Sequence, residues 1–155
     1  CCEYYYCYYY IMKLEEIQNL WDADSQIDRS ELGDESLRIV KMHAKYFKIY
    51  SQERLLLRKM ESDLKELYRD KYEWYNGNIS KELLEQRGWE PNPLKILRTD
   101  VAMYISADEG MRTASLRVEL QNEKVLFLES IIKSLSTLGY NIKNAIEWSK
   151  FQNGT

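Results

Sequence analysis

From about Asp34 to Tyr75 the sequence contains neither proline nor glycine and is rich in good helix formers, and this one stretch constrains the fold more than any other. Asp34 or Ser36 can cap its start and Gly77 can stop it, so the pattern predicts a single long helix. Its apolar stripe runs through Leu37, Val40, Ala44, Phe47 and Tyr50, then through Leu57, Met60, Leu64, Leu67 and Trp74. The second set keeps the three-four spacing of a coiled seam. Such a helix greatly exceeds the globular mean of about 11 to 12 residues, so partner helices must cover it and it is expected to reach a neighbouring subunit. The expected fold class is all-α, mostly helical and oligomeric, built around this long central helix.

The rest of the chain reads as shorter helices and loops. Leu14, Ile17, Leu20 and Trp21 share one helical face, and the acidic linker DADSQIDRSELGDES follows. A short helix is expected over Ser80 to Gln86, then a loop from Arg87 to Pro93. Leu94 to Ala107, with Ile96, Val101, Met103 and Ile105, reads as extended or weakly stranded. From Met111 to Leu138 a helix returns, carrying Leu116, Leu120, Phe127, Ile131, Leu135 and Leu138 on one face and Val118, Val125, Leu128 and Ile132 beside it. A surface that wide is expected to be buried on two sides. Gly139 fits a left-handed helix stop and Asn141 can cap a last helix, which predicts a C-terminal helical hairpin. Its Tyr140, Ile142, Ile146 and Trp148 are the expected oligomerisation residues.

At 155 residues the chain has the size of one domain, expected over 12–155. The opening run CCEYYYCYYYI holds all three cysteines and differs in composition from MKLEEIQNLW after it, so residues 1–11 are expected to be a non-native or disordered extension, with Met12 as the initiator. The body then has no cysteine for a disulfide framework or a zinc site, as expected in a reduced cytosol. No apolar run approaches the roughly 20 residues of a membrane-spanning helix, and the chain is expected to be soluble and intracellular.

Enzyme readings lack parts. The single histidine, His43, leaves no Cys-His pair and no histidine cluster, and the six glycines are scattered without forming a phosphate loop. Asp22, Asp24 and Asp28 have the spacing of the first calcium-loop ligands, but Ile27 and Gly33 stand where such a loop needs Gly and Glu. The sequence therefore predicts no enzyme, no cofactor and no metal.

The net charge of -3 hides a strong asymmetry. Between Met12 and Ser36 the acids Glu15, Glu16, Asp22, Asp24, Asp28, Glu31, Asp34 and Glu35 face only Lys13 and Arg29. Between Leu37 and Met60 the bases Arg38, Lys41, Lys45, Lys48, Arg54, Arg58 and Lys59 face Glu53 alone. Bases three or four apart stack along one side of a helix and can follow a phosphate backbone. Tyr46, Phe47 and Tyr50 interleave with them, and RDKYEWY repeats the combination with Arg69, Lys71, Tyr72, Trp74 and Tyr75, which suits stacking of unpaired bases beside charge contacts. The competing reading is a solvated helix in a structural or scaffolding protein without nucleic-acid binding, its aromatics all in the core.

Three segments carry a family resemblance. LYRDKYEWYNG, from Leu67 to Gly77, ISADEG, from Ile105 to Gly110, and FLESIIKSLSTLGYNIKNAIEWSKFQNG, from Phe127 to Gly154, occur in an order that resembles the UvsY family of T-even-type phages. The resemblance spans Met12 to the C-terminus, with Asn78 to Leu97 departing in length and content. It implies a mostly helical, ring-like homo-oligomer that binds single-stranded DNA and acts without catalysis. Its implied partners are a RecA-like recombinase of the UvsX type and the phage single-strand-binding protein, in the cytoplasm of the infected host cell. The family's basic pair falls on Arg69 and Lys71. Together with the helix pattern this gives the expected DNA-binding set Arg69, Lys71, Tyr72, Trp74, Tyr75, Lys45, Lys48, Arg54 and Arg58.

Overall fold

The computed structural model describes residues 12–94 and 96–154; the expected extension over residues 1–11 lies outside the described residues. These form five helices, α1 (Leu14–Asp24), α2 (Leu32–Tyr75), α3 (Lys81–Arg87), α4 (Val101–Ala107) and α5 (Glu109–Gln152), and no strand among the described residues. The all-α expectation holds. The described residues divide into two compact units, one formed by 12–54 and 123–154, the other lying within Leu55–Asn122.

In the first unit α1 and the adjoining parts of α2 and α5 bury Ile17, Met42, Tyr46, Leu128, Ile131 and Leu135, with Leu20, Trp21, Ile39, Ile49 and Leu138 packed around them. On α2 the inward residues are Ile39, Met42, Tyr46, Ile49 and Glu53; on α5 they are Lys124, Leu128, Ile131, Leu135, Leu138 and Ile142. Both series alternate steps of three and four, the spacing of a coiled seam. Glu53 and Lys124 are the charged members, joined at 3.1 Å with both side chains buried, and the Lys124 ammonium also donates to the Met12 carbonyl. A paired charge at such a position fixes register, because any slip would bury each charge against an apolar neighbour. Tyr46 is tolerated inside because its hydroxyl donates to Asp24 at 2.9 Å while its ring meets Trp21 edge-on.

That seam corrects the stripe expected for this part of α2. Leu37, Val40 and Phe47 are 69%, 70% and 51% exposed, and Ala44 is exposed with them. The expected stripe and the buried one are two positions apart, roughly 200° around the helix, so they lie on nearly opposite sides. Tyr46 and Glu53 disguised the inner stripe as polar, whereas the outer one consists of plainly apolar residues.

In the second unit Val101, Ile105 and Met111 are buried, with Leu64, Leu67, Tyr75 and Ile96 against them. Ser80 caps α3 through the Leu83 amide, and Gly88 ends it in the left-handed conformation at φ 66°. The expected extended segment Leu94 to Ala107 instead contains α4. Val101 and Ile105 stand one turn apart and both enter the core, so packing overrides the weak helix preference of β-branched residues.

The expected C-terminal hairpin is absent, because α5 continues through Gly139 to Gln152. Gly139 has no positive φ and is not a helix stop; Leu135 and Leu138 before it and Ile142 after it occupy the same seam, and their burial outweighs the poor helix propensity of glycine. A Cβ at Gly139 would come no nearer than 3.9 Å to the Ile39 side chain, an ordinary contact. Gly139→Ala is therefore expected to stabilise the protein by about 1 kcal/mol. Chemical denaturation checks this, and a loss of stability would mean that the helix yields at this position.

Candidate nucleic-acid interface

In the second unit the basic and aromatic side chains of RDKYEWY point in two directions. Lys71 pairs with Asp108 at 2.8 Å, its side chain only 12% exposed, and its ammonium lies 4.3 Å from the Trp89 ring centroid and 5.0 Å from that of Trp74. Asp108 also accepts from the Tyr75 hydroxyl and, through its other oxygen, from the Met111 amide, capping the start of α5. Burial pushes the Asp108 carboxyl up, but the Lys71 hydrogen bond and charge with the Met111 and Tyr75 donors outweigh it and hold it below the usual carboxylate range. Burial, with the Asp108 contact, pushes the Tyr75 phenol up to about 12. Trp74 donates its indole N–H to the Glu90 carbonyl at 2.7 Å. Lys71, Trp74 and Tyr75 thus hold the unit's own interior.

Arg69 and Tyr72 face outward. They continue a stripe with Lys65 and Tyr68, at steps of three, one and three, and all four are exposed. Two cations alternate with two rings on one helical face, an arrangement that can hold phosphates while bases stack. The Arg69 guanidinium donates to the fully buried Asp70 carboxylate, yet its side chain is 63% exposed. The second oxygen of Asp70 accepts from Arg87 of α3, which also pairs with Glu66 at 3.0 Å. Lys65, Tyr68 and Arg87 were missing from the expected set. The spacing from Lys65 to Tyr72 was readable in the sequence; Arg87 stood in a segment read as a loop.

In the first unit the basic helix is divided in the same way. Lys45 pairs with Asp24 at 2.6 Å, and Arg38 donates to the carbonyls of Asp24 and Gln26 and to Glu35, pinning the linker that precedes α2. Lys48 is exposed, and Arg54 lies over the Tyr50 ring at 5.8 Å. Arg58, in the second unit, is exposed. Of the expected oligomerisation residues, Tyr140 and Trp148 are exposed, Ile146 is half-buried, and Ile142 is buried within its own unit. Phe151 stacks on Trp148 at 5.7 Å and extends that exposed patch. Among the described residues no cluster of His, Cys, Asp and Glu could hold a metal ion, and no helix is long and apolar enough to cross a membrane.

No individually curated protein matches the sequence. Two crystal forms of the bacteriophage T4 recombination mediator protein UvsY share the fold, each at 18% identity. They superpose with TM-scores of 0.79 and 0.80, covering 90% and 92% of this chain and 99% of the phage T4 chain. A third crystal form of the same protein gives 0.77 at 16% identity, over 88% of this chain and 98% of that one. The family model described as the recombination, repair and ssDNA binding protein UvsY matches residues 20–155, nearly the whole of the chain, which therefore belongs to the UvsY family.

Proposed function

We propose that this chain is a recombination mediator that binds single-stranded DNA and promotes loading of a RecA-like recombinase onto strands coated by the phage single-strand-binding protein. It would act without catalysis, as a ring-like homo-oligomer in the cytoplasm of the infected host cell. The observation that carries the reading is the exposed stripe Lys65, Tyr68, Arg69 and Tyr72, cations alternating with rings on a rigid helix. Such a stripe grips any sequence, because every phosphate and every base face is an acceptable partner. Lys48 and Arg54 with Tyr50 are a further candidate contact in the first unit. Several subunits, each holding the strand weakly, would loosen the coating protein and present an ordered strand for recombinase nucleation.

Fluorescence anisotropy with a single-stranded oligonucleotide over a salt series tests the binding step. Each phosphate neutralised contributes about -0.7 to the log-log slope, so Lys65 and Arg69 alone give about -1.4 per subunit engaged. Arg69→Ala is expected to flatten the slope by about 0.7 and to weaken binding equally across sequences. Binding that is indifferent to salt would reject the surface. The loading step is read from recombinase activity on strands already coated by single-strand-binding protein, with and without this protein.

A further inference from the structure

α3 places Arg87 on the same buried carboxylate as Arg69. Nε and Nη2 of Arg69 donate to one oxygen of Asp70, and Nε and Nη2 of Arg87 donate to the other. Asp70 is 0% exposed. A carboxylate with both oxygens occupied in this way fixes two planar guanidiniums side by side, each keeping one edge for another ligand. Nη1 of each is without a partner among the described residues, and the Arg87 side chain is 30% exposed. Its remaining partner, Glu66, has a side chain 56% exposed, and so wet a pair gives way to a competing anion.

We infer that Arg87 and Arg69 form a two-guanidinium clamp for neighbouring phosphates of a single strand, with Asp70 as its positioning residue and Glu66 as the anion the strand displaces. The inference rests on the reading of this unit as a single-stranded DNA surface. Arginine suits the task because its fork meets phosphate oxygens through paired N–H bonds, and a guanidinium already oriented loses less freedom on binding. The clamp puts α3 beside the Lys65 to Tyr72 stripe as part of one surface.

Two substitutions test it on the full-length protein. Arg87→Gln is expected to flatten the salt slope for single-stranded oligonucleotide by about 0.7, with Arg87→Lys restoring the slope but only part of the affinity. Helicity by circular dichroism confirms that the variants are folded. Glu66→Gln keeps both arginines and removes their competitor, so binding is expected to tighten about two- to fivefold more than in Glu119→Gln, a neutralised acid on an exposed face elsewhere. A folded Arg87→Gln protein with an unchanged slope overturns the clamp, as does a Glu66→Gln gain no larger than the Glu119→Gln control. Should Arg87→Gln fail to fold, the Glu66→Gln comparison decides alone. If the wild-type protein itself binds without salt dependence, the clamp and the DNA surface fall together; if it binds as expected and only these variants disagree, the clamp alone is wrong.

Discussion

Val40→Asp with Phe47→Asp is expected to reduce the proposed ring-like assembly to single folded chains, and Tyr140→Asp with Trp148→Asp is expected to do the same through a second face. All four side chains are exposed, so neither pair of changes disturbs the interior. Leu37, Val40, Ala44 and Phe47 form a bare seam with steps of three and four, on the side of α2 nearly opposite the seam its own unit fills. Tyr140, Trp148 and Phe151 form a second bare patch, near the end of α5. A closed ring of identical chains needs two unlike faces, each docking on its complement in the next copy. An isologous dimer needs only one.

The difference has a measurable consequence. A variant lacking one face and a variant lacking the other each retain one good face, so mixing them should yield a one-to-one pair and nothing larger by light scattering. If either variant alone assembles as the unsubstituted protein does, that face is not part of the proposed ring contact. The separated chains should also bind a long oligonucleotide roughly 10²- to 10⁴-fold more weakly than the assembly, because the strand would lose the effective concentration supplied by neighbouring sites. A single chain that binds as tightly as the assembly would mean that one subunit carries the whole site.

Periodicity made the existence of most helices legible, and the two places where it misjudged their extent share one cause. At Gly139 and at Val101 to Ala107 the local residue preference opposes helix, and only burial of Ile142, Val101 and Ile105 shows why helix wins. The same limit applies to the candidate surface. In RDKYEWY the sequence identifies the residue types suited to DNA, but which of them face water depends on where the core lies. One step along the helix turns about 100°, enough to separate Asp70 in the interior from Arg69 outside it. Lys71 and Arg69 are therefore equivalent as letters and opposite as side chains. Arg87 could not be read at all, since its partner Asp70 lies across the turn between α2 and α3.

The buried carboxylate at the centre of that cluster makes the last prediction. Burial pushes the Asp70 carboxyl up, while hydrogen bonds from Arg69 and Arg87 and their charges push it down by more, and the result lies below the ordinary value. A carboxyl whose folded pKa is depressed stabilises the fold at pH values above its unfolded pKa of about 3.9, and this contribution disappears as the pH falls through the folded value. Asp24 and Asp108 are depressed as well, by Lys45 and Tyr46 in one case and by Lys71 and the Met111 amide in the other, each against an opposing push from burial. All three act in the same direction, so stability should drop steeply on acidification below about pH 4. Asp70→Asn keeps the shape and removes the charge, leaving an amide that cannot accept from both guanidiniums in the same way. The expected loss near neutral pH is about 3 kcal/mol, at the low end for a broken buried pair because Arg69 and Arg87 can turn towards water. Below the folded pKa of Asp70 the wild-type carboxyl is itself neutral, so the gap between the two proteins should close there. Urea denaturation from neutral pH down through and below the unfolded pKa of about 3.9 follows the gap, which should narrow progressively as the pH falls. A gap that stays constant from neutral to acid would mean that Asp70 acts through its shape and not through the charge it presents to the two arginines.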